Sequence, residues 1–218
     1  MMTLYGYFRS STSYRTRIAM NLKGLDYDDI AINLAQDEQL ETAFKAINPQ
    51  GLVPVLQVND LLLYQSPAIL EWLEDVYPEQ PLLPKDAAGR MHVRALSAMI
   101  GCDIHPLNNR RILQYLRNEL SVDEENVIAW CNRWISEGFA ALETRLAADS
   151  HRGQFCYGDN PTFADCYLIP QVSSARRFKV DLSAYPNIVA IDAHCRTLKA
   201  FADADPMMQP DAPKPLSP

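Results

Sequence analysis

Four consecutive hydroxyl residues, Ser10-Ser11-Thr12-Ser13, lead from an apolar segment into a stretch bearing Arg15 and Arg17. Hydroxyls and free backbone N–H groups at a helix start can hold an anion, and they favour the charged form of a thiol by hydrogen bonding to it. An ordinary N-cap uses one hydroxyl and contributes about 1 kcal/mol. Capping therefore does not explain the run. No cysteine stands in this turn, so a thiolate used there must be brought by a ligand. The five cysteines, Cys102, Cys131, Cys156, Cys166 and Cys195, lie 10 to 29 residues apart without a CxxC pair and read as reduced, buried, structural thiols. His105, within Cys102-Asp103-Ile104-His105-Pro106, has no partners at metal-ligand spacing, and no metal is expected.

The arginines fall into three islands: Arg9, Arg15 and Arg17; Arg110 and Arg111; Arg176 and Arg177. Within a 218-residue chain of net charge −7 they point to local binding of an anion. The acidic balance, with pI near 5.1, argues against nucleic acid or an anionic membrane as partner. The start lacks a basic, then apolar leader pattern, and no apolar run approaches a membrane span, so a cytoplasmic, soluble protein is expected.

The elements that must carry these groups are legible in outline. Leu4 to Phe8 reads as a strand, and Tyr14, Ile18 and Leu22 share one face of a helix ending at Lys23-Gly24. A strand near 29–32 and a polar helix around 36–46 follow. Val53 to Val58 reads as a strand joined through Asn59-Asp60 to Leu61-Leu62-Leu63-Tyr64, and Gln65-Ser66-Pro67 offers a serine N-cap to a helix through Val76. This is βαβα–ββα, a thioredoxin-like layout over residues 1–84. Prolines at 78, 81 and 84 mark a linker. Residues 85–206 read as an all-α helical domain, with helices over about 89–119, 123–148, 162–174 and 188–202. Thr162-Phe163-Ala164-Asp165 fits a capping box. Residues 207–218 belong to a proline-rich tail expected to be disordered.

A thioredoxin-like half joined by a Pro-rich linker to a helical half resembles the cytosolic glutathione transferases. FRSSTSYRTRIAMNLKG at 8–24, NPQGLVPVL at 48–56, QSPAILEWLE at 65–74 and the Thr162-x-x-Asp165 cap resemble their zeta class, over nearly the whole chain. GCDIHPLNNRRILQYLR at 101–117 is most similar to the glutathione-dependent maleylpyruvate isomerases, with maleylacetoacetate isomerases close by. The class motif carries cysteine where this chain has Thr12, a substitution that fits the maleylpyruvate branch.

The resemblance implies an enzyme with reduced glutathione as cofactor: addition of its thiolate to a conjugated C=C bond, rotation, and elimination in the trans geometry. Ser10, Ser11 and Thr12 would form the thiol site, Ser10 as first choice of donor and Ser11 as second. Val53, before a cis Pro54, would pair with the glutathione main chain. Gln65 and Ser66 would meet its γ-glutamyl end, and Gln39 its glycine end. His105, Asn109, Arg110 and Arg111 are further candidates for glutathione contact. The implied substrate is a small maleyl-type dicarboxylate, held by Arg9, Arg110 and Arg177, since guanidinium groups bind carboxylates in pairs of hydrogen bonds. Arg176 reads as a surface charge, and Arg15 and Arg17 as braces between the two halves. A homodimer is implied. Three alternatives stay open: a maleylacetoacetate isomerase, a transferase or dehalogenase acting on electrophiles, and a non-catalytic glutathione-binding module.

Overall fold

The computed structural model of the chain describes residues 1–214. It divides into two units, residues 1–81 with the segment from Arg196 onward, and residues 82–195.

In the first unit β1 (Met2–Gly6), α1 (Ser11–Leu22) and β2 (Asp28–Ala31) form a βαβ start with β1 and β2 parallel. Two 3-10 turns (Leu34–Gln36 and Glu38–Leu40) and the short α2 (Thr42–Ile47) replace the single polar helix expected over 36–46. Asp37, at φ 59°, sits between the turns in the left-handed region and stops a continuous helix. Then β3 (Val55–Val58) pairs antiparallel with β1, and β4 (Leu61–Tyr64) pairs with β3. The sheet order is β2-β1-β3-β4, the mixed sheet the strand hairpin implied.

α3 (Ser66–Val76) follows β4. Its N-cap is Gln65, at φ 66°, so Ser66 is the first helical residue and not the cap expected of it. The core of this unit, Leu4, Tyr14, Ile18, Val55, Leu56, Ile69, Leu70 and Leu73, is fully or almost fully buried. Lys23, closing α1, buries its ammonium on Glu74 Oε2 at 2.8 Å and on the carbonyls of Tyr77 and Gln80 at 2.9 Å each. Three acceptors around one buried cation meet the requirement that such a charge be paired.

The second unit is helical: α4 (Ala87–Ala98), α5 (Arg110–Asn118), α6 (Glu124–Ala148), α7 (Phe163–Arg177) and α8 (Pro186–Cys195). Buried Val127, Cys131, Ile135, Phe139, Leu142 and Leu146 line one face of α6 at helical spacing. The helix expected over 89–119 is broken. A π-helical turn at Met99–Ile104 and a 3-10 turn at His105–Asn108 stand between α4 and α5. Pro106 is the local cause, because it lacks an N–H and clashes with the preceding turn. Asn108 Nδ2 and Trp130 Nε1 take up carbonyls freed by the break, those of Ile104 and Leu107, at 3.0 and 2.7 Å.

The helix expected over 188–202 also divides, into α8 and α9 (Lys199–Ala204). α9 packs on α1 and belongs to the first unit, so the division departs from the expected 85–206. Residues 207–214 are likewise held by specific bonds, against the expected disorder: Met207 N–H on Asp205, Gln209 Nε2 on the carbonyls of Asp203 and Asp205, and Phe8 N–H on Asp211. The rest of that expectation, residues 215–218, lies outside the described residues. Among the described residues no helix is long and apolar enough to cross a membrane.

Candidate active site

The hydroxyl run starts α1, with Ser10 as N-cap in an extended conformation. Ser13 N–H donates to Ser10 Oγ at 3.2 Å, and the Thr12 hydroxyl donates to the carbonyl of Val53 at 2.9 Å. A carbonyl can only accept, so the one proton of Thr12 is committed there. Ser10 Oγ stands 2.9 Å from Thr12 Oγ1, and with Thr12 already spent as a donor, Ser10 donates in this contact. Both hydroxyls are therefore engaged. Ser11 is different: its hydroxyl, its own N–H and the N–H of Thr12 find no partner among the described residues. One O–H and two N–H donors are left open at the positive end of a twelve-residue helix.

Of the other expected glutathione contacts of the first unit, Val53 and Ser66 bond to residues of α1, whereas Gln65 and Gln39 bond to Gln50 and Asp37. Val53 receives Thr12 on its carbonyl, while its N–H finds no partner among the described residues. The Val53-Pro54 peptide is cis. Ser66 Oγ accepts from the buried Arg15 at 3.1 Å, which ties the start of α3 to α1. Gln65 is exposed and bonds through Nε2 to Gln50 Oε1 at 2.7 Å. Gln39 is buried, its Nε2 on Asp37 at 3.0 Å and its Oε1 without a partner among the described residues.

Gln50, Asp37 and Gly51 are contributors that sequence reasoning passed over. Gly51 stands at φ 61°, and a Cβ there would come within 2.9 Å of the Gln39 carbonyl, so only glycine fits the loop that carries Gln50. The signal was the glycine in Asn48-Pro49-Gln50-Gly51, read only as a turn. These open donors, and a buried acceptor with nothing to accept, suit a peptide ligand that carries carboxylates, amides and a thiol.

Arg15 and Arg17 brace residues within the first unit. Arg17, 1% exposed, donates to the carbonyls of Phe8 at 2.9 Å and Ala204 at 3.2 Å. Burial pulls its pKa down, against the opposing pull of Asp29, Tyr27 and Asp211 nearby. Burial also pushes the Tyr27 phenol up to about 12 and raises the Asp29 carboxyl. Arg9 is exposed, its guanidinium 5.8 Å from the Phe8 ring centroid.

In the second unit Asn109 is the N-cap of α5, accepting from Arg111 N–H at 3.2 Å, and Arg110 and Arg111 open the helix. His105 starts the 3-10 turn before it and is half-buried. Arg177, in the last turn of α7, donates to Ser174 Oγ at 3.2 Å and lies over the Phe178 ring at 4.7 Å. Its neighbour Arg176 is spent on the buried Asp192 at 2.5 Å.

Four of the cysteines are buried, as expected, and Cys102 is exposed, against expectation. It lies on the π-helical turn, where Ile100 and Ile104 are the buried residues. Burial pushes the Cys131 thiol up to about 11 and Cys156 well above its usual value. Neither supplies a thiolate at neutral pH. No group of side chains among the described residues could hold a metal ion.

Known families match both units. The glutathione S-transferase N-terminal domain matches residues 9–76, and the glutathione S-transferase C-terminal domain residues 135–191. A maleylpyruvate isomerase of a Ralstonia species is 58% identical over 211 residues, covering 97% of this chain and all of the relative. Among solved structures, a holo maleylpyruvate isomerase described as a bacterial glutathione S-transferase of the zeta class superposes with a TM-score of 0.96 at 57% identity, over 97% of this chain and 100% of that one. A maleylacetoacetate isomerase from Methylobacterium extorquens AM1, solved with malonate and GSH bound, gives 0.94 at 37% identity over the same shares. The chain belongs to the glutathione S-transferase family, in its zeta class.

Proposed function

We propose that this protein is a glutathione-dependent cis–trans isomerase that converts maleylpyruvate to fumarylpyruvate in gentisate-type aromatic catabolism in the cytoplasm. The observation that carries the reading is the open O–H and two N–H donors at the start of α1, linked through Thr12 to Val53. The 58% identity to the Ralstonia maleylpyruvate isomerase supports the choice of substrate. So does Thr12, which stands where the wider class has cysteine.

When bound, glutathione supplies a thiol whose sulfur can add to the conjugated double bond and leave again, with rotation between the two steps. The residues of this chain have three tasks. Ser11, with the N–H groups of Ser11 and Thr12, stabilises the thiolate, while Ser10 and Thr12 fix that arrangement through their mutual bond and the Val53 carbonyl. Val53 N–H, Gln65, Ser66 and Gln39 hold the peptide, Ser66 with the charge of Arg15 behind it. His105, Asn109, Arg110 and Arg111 are further glutathione contacts in this reading, with Asn109 also capping α5.

Arg9, Arg110 and Arg177 bind the substrate carboxylates. The malonate held by the Methylobacterium relative, itself a small dicarboxylate, is consistent with that role. Arg177→Ala should raise KM for the dianion about tenfold while changing kcat less. Unchanged constants would remove it from the clamp. A homodimer is proposed as well, supported by the apolar side chains of Leu61 and Tyr64 on the edge strand β4, 48% and 57% exposed. Light scattering measures it directly.

The activity is tested by supplying purified protein with maleylpyruvate or maleylacetoacetate, with and without glutathione. Turnover should require glutathione without consuming it, and kcat/KM should be higher for maleylpyruvate. A preference for maleylacetoacetate, as the name of the Methylobacterium relative suggests, would reassign the substrate. Stoichiometric loss of glutathione would indicate conjugation instead, and binding without turnover a non-catalytic module.

A further inference from the structure

We propose that Asp211, near the C-terminal end of the described chain, is a positioning residue that sets the Ser10–Thr12 turn through its bond to Phe8, 203 residues away in sequence. The proposal rests on the reading that this turn holds the glutathione thiol.

The turn is held from within only in part, by the Ser10 cap on Ser13 N–H and by the Thr12 hydroxyl on the Val53 carbonyl. Its first two helical N–H groups, those of Ser11 and Thr12, meet no acceptor among the described residues, and the Ser10 cap engages only the N–H of Ser13. The peptide units just upstream carry the compensation. Ser10 N–H returns to the Tyr7 carbonyl at 3.0 Å, and Tyr7 N–H reaches Ser13 Oγ at 3.4 Å. Phe8 is gripped on both of its polar groups, its N–H by Asp211 Oδ2 at 2.9 Å and its carbonyl by Arg17 Nη2 at 2.9 Å.

Both grips lead to the C-terminal segment. Arg17 Nε also bonds the Ala204 carbonyl at the end of α9. Beyond α9 the chain is stiffened by Asp205, which accepts from Met207 N–H at 2.9 Å and from Arg196 at 3.1 Å. Gln209 clamps the carbonyls of Asp203 and Asp205 at 2.8 Å, and Ala212 N–H returns to the Gln209 carbonyl at 3.0 Å. Asp211 is therefore presented from an ordered strap. The negative charges of Asp29 and Asp211 also favour the charged form of the buried Arg17 against its burial. A shift of the turn by even a fraction of an ångström would misplace donors aimed at sulfur.

Three variants test this in the full chain: Asp211→Ala, Asp211→Asn and Ser10→Ala. The readouts are the pKa of enzyme-bound glutathione, titrated through thiolate ultraviolet absorbance, and kcat and KM. Asp211→Ala should raise the bound thiol pKa by roughly half a unit. It should lower kcat about tenfold and leave KM for the dianion within about twofold. Asp211→Asn, whose amide oxygen still accepts from Phe8, should recover most of both losses.

The proposal is overturned if Asp211→Ala matches the wild type while Ser10→Ala does not, or if the Asn and Ala variants fall equally. If Ser10→Ala is also silent, or the wild type does not depress the thiol pKa, the thiol-site reading fails instead. The Asn variant and the thermal midpoint of each protein separate misplacement of the turn from general loss of folding.

Discussion

At the start of α7, Thr162 and Asp165 close the helix on itself; at the start of α1, Ser10 and Thr12 bond each other and Val53 and leave Ser11 facing outward. Thr162 donates to Asp165 Oδ2 through its N–H at 2.8 Å and its hydroxyl at 2.9 Å, and Cys156 N–H donates to Oδ1 at 2.9 Å. Asp165 has no exposed surface, and burial raises its pKa despite those donors. Both beginnings use hydroxyl residues at the helix cap, so composition alone does not separate them. The difference is the count of donors left over. A helix start that satisfies itself is architecture, and one whose first donors stay open among the described residues can offer them to water or to a ligand.

Substitutions at the two starts should therefore fail in different ways. The largest effect is expected at the closed start. Asp165→Ala leaves three buried donors without an acceptor and should cost about 3 kcal/mol of stability. Urea unfolding measures this, and turnover per folded molecule should be retained. At the open start, Ser11→Ala should lower kcat about tenfold, equivalent to ~1.4 kcal/mol of barrier, through a raised thiol pKa. Stability should stay within about 0.5 kcal/mol of wild type, since this hydroxyl bonds nothing among the described residues. Activity unchanged in Ser11→Ala and lost in Ser10→Ala would return the direct-donor role to Ser10. Ser10→Ala should show a smaller, mixed effect, about 1 kcal/mol of stability from the lost cap together with reduced turnover.

What could be read in advance divides along the same line. The hydroxyl run, the capping box and the strand hairpin are local patterns, and each appears within a residue or two of its expected place. Val53, Gln65 and Ser66 as candidate contacts come with the short motifs that carry the family resemblance, and Gln39 with the polar segment after the second strand. Proton commitments do not. Nothing in Ser-Ser-Thr tells that Thr12 spends its hydrogen on a carbonyl 41 residues away, and that contact turns attention from Ser10 to Ser11. The tail was misjudged for a related reason. Proline content describes the local chain, whereas the bonds of Asp211 and Gln209 depend on partners that only the fold assembles. The helix break at His105–Asn108 was the most recoverable miss, because Pro106 stood inside the proposed helix and apolar spacing on both sides concealed it.

The sheet of the first unit has two unlike borders. Along β2 every residue is exposed, and Asp28 and Asp29 give that border negative charge, while β4 at the opposite border shows Leu61 and Tyr64. Charge at a strand edge repels another strand that approaches it, and a sheet able to recruit a neighbour on one side alone cannot propagate. Self-recognition through β4 would thus terminate at a pair, with the acidic β2 border closing the sheet to a further strand.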